Sequence, residues 1–236
     1  GSRLYLQNNI YDEFLEKITK KANNIKIGDN CKATKIEQPR SYVSTGPSLM
    51  RANRNNFDAI SQFYDRATSL EMCGHIIDKV ELLVLGGTWS HYPVKYQEEF
   101  IRDIYYAANT YYTDIKREKY SLHQEMQINQ RARCRIIGLT LETRPDCINK
   151  REIIRLRSYG CTRVQIGVQH INDNILKGEG VTRGCFLRHI IKALFILKRH
   201  GFKADIHIMT DLPGSNYDID KEMFDKILGI DNIIKI

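Results

Sequence analysis

Four short apolar runs, each ending in a knot of polar side chains, constrain this chain more than any other feature. Val80 to Ser90 reads VELLVLGGTWS, Ile137 to Ile148 reads IGLTLETRPDCI, Tyr159 to Gln169 reads YGCTRVQIGVQ, and Lys203 to Ser215 reads KADIHIMTDLPGS. Each begins as a buried, β-rich strand and turns polar where a strand should stop. The predicted strands are Val80–Leu85, Ile136–Leu141, Thr162–Val168 and Ala204–Met209. Helical spacing fills the intervals, over Val94–Asn109, Ser121–Arg133, Lys150–Tyr159 and Cys185–His200, with further helices at Phe57–Cys73 and Asp218–Leu228. Strand and helix in alternation argue for a parallel sheet with right-handed crossovers. Chain order leaves two arrangements open, an open doubly wound sheet and a partial barrel. Either one gathers its chemistry at the C-terminal ends of the strands.

Upstream of the alternation the pattern changes. Leu4 to Lys21 reads as an amphipathic basic helix, Ala22 to Gln38 shows no period, and the segment RSYVSTGPSLMRANRNNFD from Arg40 is rich in turn residues. The expected division is a basic N-terminal helix and loop over 1–38 and a barrel-like domain over 39–236.

With 236 residues and 42% apolar content, the chain can bury a sizeable core. A formal net charge of +8 favours a polyanionic partner. No apolar stretch is long enough to span a bilayer and no signal peptide is read, so no membrane partner is expected and the expected compartment is the reducing cytoplasm. Cysteines stand at 31, 73, 134, 147, 161 and 185, no two at C-x-x-C or C-x-x-x-C spacing. No disulfide framework and no metal ligand set follow from them.

The strand ends supply the candidate site. Gly86 and Gly87, followed by Thr88, let backbone groups approach a ligand without a Cβ in the way. Glu142, Arg144 and Asp146 crowd the next strand end, where a carboxylate suits a ribose hydroxyl or an ammonium, and Pro145 keeps the turn extended. The amide of Gln169 offers both a donor and an acceptor to a nucleoside, and Asp211 closes the last strand. Lys79 differs in standing at a strand start. Arg40, Arg51, Arg54, Lys20 and Lys21, with Tyr42 and Phe57 among them, form a candidate RNA-binding group whose cations pair with phosphates while the aromatics stack on bases.

From about Arg40 to Asp225, the ETRPD, CTRVQIGVQ and DLPGS segments together closely resemble the radical S-adenosylmethionine (SAM) domain of the Elongator catalytic subunit family. The resemblance implies a partial TIM-like (β/α)6 radical SAM barrel, truncated, with a short N-terminal helical appendage. It implies an acyltransferase-like enzyme that makes the carboxymethyl-type modification on wobble uridine, with the tRNA anticodon arm as partner and Elongator-type accessory subunits. The GGT turn then meets the SAM amino group, Asp211 lies in the turn lining the adenine side, and Lys79 contacts acetyl-CoA, the co-substrate. Gln165 stands where family members often carry Glu. The family also holds a [4Fe-4S] cluster on three cysteines placed shortly before the segment matching RSYVSTGPSLMRA, and here that interval holds only Cys31. Cluster ligands are therefore not found, no catalytic residue is assigned, and the chain is expected to be inactive in radical chemistry without a cluster loop. A cluster-free tRNA-binding scaffold is the alternative.

Overall fold

A computed structural model describes residues 46–85, 87–114, 116–178, 181 and 184–228. The Leu4–Lys21 helix, Cys31 and the terminal IIKI lie outside the described residues.

Four strands, β1 (Lys79–Val84), β2 (Arg135–Thr143), β3 (Arg163–Gln169) and β4 (Lys203–Ile208), form a sheet in the order β1-β2-β3-β4, every pair parallel. In a doubly wound sheet the strand order reverses at a switch point. Strictly sequential order is that of a barrel wall, which decides between the two arrangements the sequence left open.

Helices α1 (Pro47–Arg54) and α2 (Ala59–Met72) precede the sheet. The crossovers are α3 (Val94–Thr110) with α4 (Leu122–Asn129), then α5 (Lys150–Ser158), then α6 (Asp173–Lys177) with α7 (Leu187–Arg199); α8 (Tyr217–Leu228) follows β4. Alternation along the strands sets the two sheet faces. Leu139, Leu141, Val164, Ile166 and Val168 are buried in one core with Leu156, Ala193, Leu194, Leu197 and Met223 of the helices. The intervening residues Thr140, Glu142, Arg163, Gln165 and Gln169 occupy the opposite, inner face.

Local chemistry explains the element ends. Asn149 caps α5 by accepting from the backbone N–H of Arg151 and Glu152. Its other end closes in a Schellman turn, Gly160 N–H to Arg157 O and Cys161 N–H to Leu156 O. Gly160 sits at φ +79°, and a Cβ there would lie 2.6 Å from the Tyr105 hydroxyl oxygen, so only glycine fits between α5 and α3. The sequence reading errs in two elements. Residues 47–54 form a helix where turns were expected, because Pro47 enters at a position needing no N–H donor. The helix expected over Ser121–Arg133 stops at Asn129, whose amide donates to Asn109 Oδ1 and Cys134 O and accepts from Ile136 N–H, redirecting the chain into β2.

Beside that amide, Glu125 is fully buried against Arg117, which donates through both terminal nitrogens at 2.7 and 2.6 Å. Burial pushes the Glu125 carboxyl up, but Arg117, the Tyr120 N–H and Asn109 overcome it and hold the group below its ordinary value. The stability this carboxylate contributes is complete above the ordinary glutamate pKa and is lost as pH falls through the lowered folded-state value. Glu125→Ala strands a partly buried guanidinium, and chemical denaturation should register a loss of about 3 kcal/mol. A loss below about 1 kcal/mol would class this pair with ordinary surface bridges.

Candidate functional site

Parallel strands put all their C-terminal ends on one rim, so Gly87, Glu142, Gln169 and Asp211 stand along the same edge of the sheet. Lys79, at the start of β1 opposite Arg135, is on the other edge and exposed. Gly86, Arg40, Lys20 and Lys21 lie outside the described residues.

The loop after β1 is held from beneath. Gly87 has φ +88°, Thr88 and Trp89 are buried, and a short 3-10 turn spans Trp89–His91. Gln97, fully buried on α3, donates to Trp89 O and Tyr92 O at 3.1 and 2.8 Å and accepts from the Tyr159 hydroxyl at 3.2 Å. Ser90 donates to Glu152 Oε1 at 2.8 Å and meets the Thr143 hydroxyl at 2.7 Å, joining this loop to the end of β2 and the start of α5. Glu152, buried, is neutralised by Arg155 at 2.6 Å.

After β2, Arg144 grips Asp146 through two parallel bonds of 2.9 and 2.8 Å. Glu142, Gln165 and Asp205 are register partners across β2, β3 and β4, so one inner row carries two carboxylates flanking an amide. Arg163, which starts β3, reaches Asp205 at 2.8 Å. The Oε1 atoms of Gln165 and Gln169 are both buried without a hydrogen-bond partner among the described residues. A buried amide oxygen left unsatisfied is costly, and two on one face are acceptors suited to a ligand's amine or hydroxyl.

Gln169 and Asp211 also share a backbone peculiarity. Their φ values are +67° and +58°, in the left-handed region that side-chain-bearing residues rarely adopt, and such strain gathers where geometry serves a ligand. At Asp211 the cause is visible. Its N–H donates to Asp220 Oδ2 at 2.8 Å, and Asp220 Oδ1 accepts from the Ser215 hydroxyl at 2.5 Å. His170, buried, accepts the Asn172 N–H on Nδ1. Its Nε2 stands 3.4 Å from Asp220 Oδ1, close enough for charge but not aligned as a hydrogen bond. Burial lowers the His170 pKa despite Asp220, while the Ser215 hydroxyl and the Asp211 N–H hold Asp220 ionised below the ordinary range.

A cleft of about 390 Å³ opens beside this rim, between Asn172, Ile175 and Gly178 on one wall and Pro213 and Gly214 on the other. Pro213 and Gly214 belong to the DLPGS turn singled out in the sequence, while Gly87, Thr88, Glu142, Gln169 and Asp211 do not line it. On α1, Arg51 and Arg54 lie in the last turn, and Arg54 is paired with Asp65 of α2, lowering that carboxyl's pKa. Of the tyrosines, Tyr105 and Tyr106 are core residues, whereas Tyr120 stays exposed under Arg117.

The described thiols are not grouped as a [4Fe-4S] cluster requires. Burial pushes the Cys134 thiol up to about 11 and Cys161 up to about 12, and also raises Cys147. Among the described residues no group of three or more His, Cys, Asp or Glu is placed to hold a metal ion.

Gln97, Glu152 and Asp220 were not found from sequence. The usable signal was a polar residue on an apolar helix stripe, Gln97 with Ile101 and Ile104, or Glu152 with Ile153 and Leu156.

The radical SAM superfamily profile matches residues 71–227. The tRNA uridine(34) acetyltransferase of Methanocaldococcus infernus is 39% identical over 189 residues, 80% of this chain and 34% of that protein. Elongator complex protein 3 of Homo sapiens is 33% identical over 185 residues, 78% of this chain and 32% of that protein. A solved structure of archaeal Methanocaldococcus infernus Elp3 with an N-terminal deletion superposes with a TM-score of 0.71 at 38% identity, covering 80% of this chain and 42% of that one. The chain spans about a third of the length of the curated relatives it matches.

Asp220→Ala should free the strained Asp211 turn while leaving the sheet intact. Amide exchange at Asp211 should quicken on the order of tenfold with little change at β3 core amides. An unchanged rate at Asp211 would show that the turn holds itself.

Proposed function

The chain belongs to the radical SAM superfamily, and from that membership we propose that it is the SAM-binding domain of an Elongator-type enzyme modifying the wobble uridine of tRNA. The observation that carries the reading is the pair of buried, unpartnered amide oxygens, Gln165 Oε1 and Gln169 Oε1, at and below the strained C-terminal end of β3. SAM brings an ammonium, a carboxylate, ribose hydroxyls and a purine, and this rim has a counterpart for each polar part. Gly87 and Thr88, with Gly86, offer backbone groups to the methionine moiety. Glu142 accepts from an ammonium or a ribose hydroxyl. Gln169 both donates to and accepts from the nucleoside, and Asp211 sits in the turn beside the adenine. When bound with a reducing cluster, SAM is the family's source of a carbon-centred radical; the described residues supply no ligands for that cluster, so no step is assigned to it.

Acetyl-CoA as co-substrate, acetyl transfer chemistry and a carboxymethyl product belong to the same proposal. Lys79 is its contact in this chain, at the opposite edge of the sheet, so acetyl-CoA and SAM approach from different ends of the strands. The tRNA anticodon arm is the macromolecular substrate, favoured by the net charge of +8 and by Arg51 and Arg54 on α1 with Arg40, Lys20 and Lys21 upstream. Elongator-type accessory subunits and a cytoplasmic setting complete it; no helix among the described residues is long and apolar enough to cross a membrane.

The wide spacing of the cysteines favours a second reading, a tRNA-binding scaffold that binds without radical chemistry. Calorimetric titration of the chain with SAM separates the two. The enzyme reading expects saturable SAM binding that Gln169→Ala weakens on the order of tenfold. Salt-sensitive tRNA binding with no SAM uptake would leave the scaffold, and an unaltered SAM affinity in Gln169→Ala would move the SAM site elsewhere.

A further inference from the structure

Charge is distributed unevenly over the helical layer. On α8, Lys221 pairs with Asp225 and Lys226 with Glu222. On α3, Lys95 faces Glu99, and Arg102 and Lys119 share Asp103. Helices α5 and α7 are built otherwise. Lys150, Arg151, Arg188, Lys192, Lys198 and Arg199 are all exposed, and among the described residues none of the six has a carboxylate partner.

The acids near them are already spent. Glu152 is buried and bound to Arg155, Asp146 is held by Arg144, and Asp173 accepts the Leu187 N–H at the start of α7. Helix α7 itself contains no acidic residue.

The two helices present this charge as one surface. Both run antiparallel to the strands they connect. Arg157 near the end of α5 donates to His200 O just past the end of α7 at 2.7 Å, and the Pro145–Cys147 turn packs on α7 at the other end. Thirteen residues give α7 a length of about 20 Å. Between the cations, Ile154 and Phe195 are 61% and 50% exposed, an apolar content that core packing does not require. Like charges left unneutralised over such a length repel one another, and a polyanion relieves that repulsion while releasing its own counterions.

We propose that the outer face of α5 and α7 is a second RNA-docking surface, which holds the phosphate backbone of the tRNA along the helical layer, outside the strand-end rim. The proposal rests on the reading of tRNA as substrate. Exposed Phe195, with the Arg199 guanidinium 5.8 Å from its ring centre, adds a stacking surface of the kind single-stranded or looped RNA uses.

The test is the salt dependence of binding of an unmodified tRNA transcript to the full chain, for the protein as it stands and for a variant carrying Lys150→Gln, Arg151→Gln, Lys192→Gln and Lys198→Gln. Each lost phosphate contact removes roughly 0.7 to 0.9 from the slope of log affinity against log salt, so the fourfold variant should lose about 3 from that slope. Its affinity near physiological salt should fall roughly tenfold or more, without a change in SAM binding. A control variant with Lys221→Gln and Lys226→Gln on α8 should shift the slope by less than about 1, those cations being already paired. An unchanged slope in the fourfold variant, with tRNA still bound, overturns the docking surface, assigns this face to an acidic protein partner and leaves the substrate reading intact. Absence of tRNA binding by the unaltered chain overturns both.

Discussion

Parallel pairing is the constraint on which the rest of this structure depends. Strands that all run one way cannot be joined by tight turns, so each pair requires a crossover, and each crossover brings a helix to cover one face of the sheet. The covered face therefore becomes apolar and close-packed, as Leu139, Leu141, Val164 and Ile166 are. The same geometry leaves the other face without helices and sends every strand end to one rim. Polar residues can then alternate with apolar ones along β2, β3 and β4 without disturbing the core. The row of Glu142, Gln165 and Asp205 is the clearest product of that division.

A rim built from loops needs support that loops cannot provide for themselves. Here the support is a set of buried polar side chains, each reaching a strand-end segment from a different helix. Gln97 fixes the segment after β1 from α3, Glu152 reaches Ser90 from α5, and Asp220 holds the segment after β4 from α8. Burying such groups is unfavourable unless all their hydrogen bonds are made, which ties the position of each loop to the packing of a helix.

How much of this was legible in the sequence follows from the range of the forces involved. Strands β2, β3 and β4 were legible because alternation and β-branched composition are local, and the ends of α5 were legible because Asn149 and Gly160 act within one turn. The family resemblance then added the barrel, and the sequential strand order bears it out. What was not legible depends on partners far apart in sequence. Nothing near Asn129 announces that its amide will bind Cys134 and Ile136 and end α4 early. Nothing within nine positions of Asp211 predicts that Asp220 will take its N–H. Arg54 reads as a solvated cation until folding brings Asp65 beside it. Lys79 was read as a strand start, apart from the strand-end residues, and the direction of β1 puts it there.

The bulge at the end of β3 has a mechanical meaning. Opposite Ile208 the register slips between Gly167 and Gln169, and Met209 N–H bonds to Gln169 O at 2.8 Å. Two residues further along β4's exit comes Asp211, anchored to α8. The two left-handed residues are thus neighbours along one short path that runs from the end of β3, through the Met209–Gln169 and Asp211–Asp220 hydrogen bonds, to α8. The placing of a single strand-end amide is thereby tied to the packing of a helix that begins only at Tyr217, after β4 has ended at Ile208.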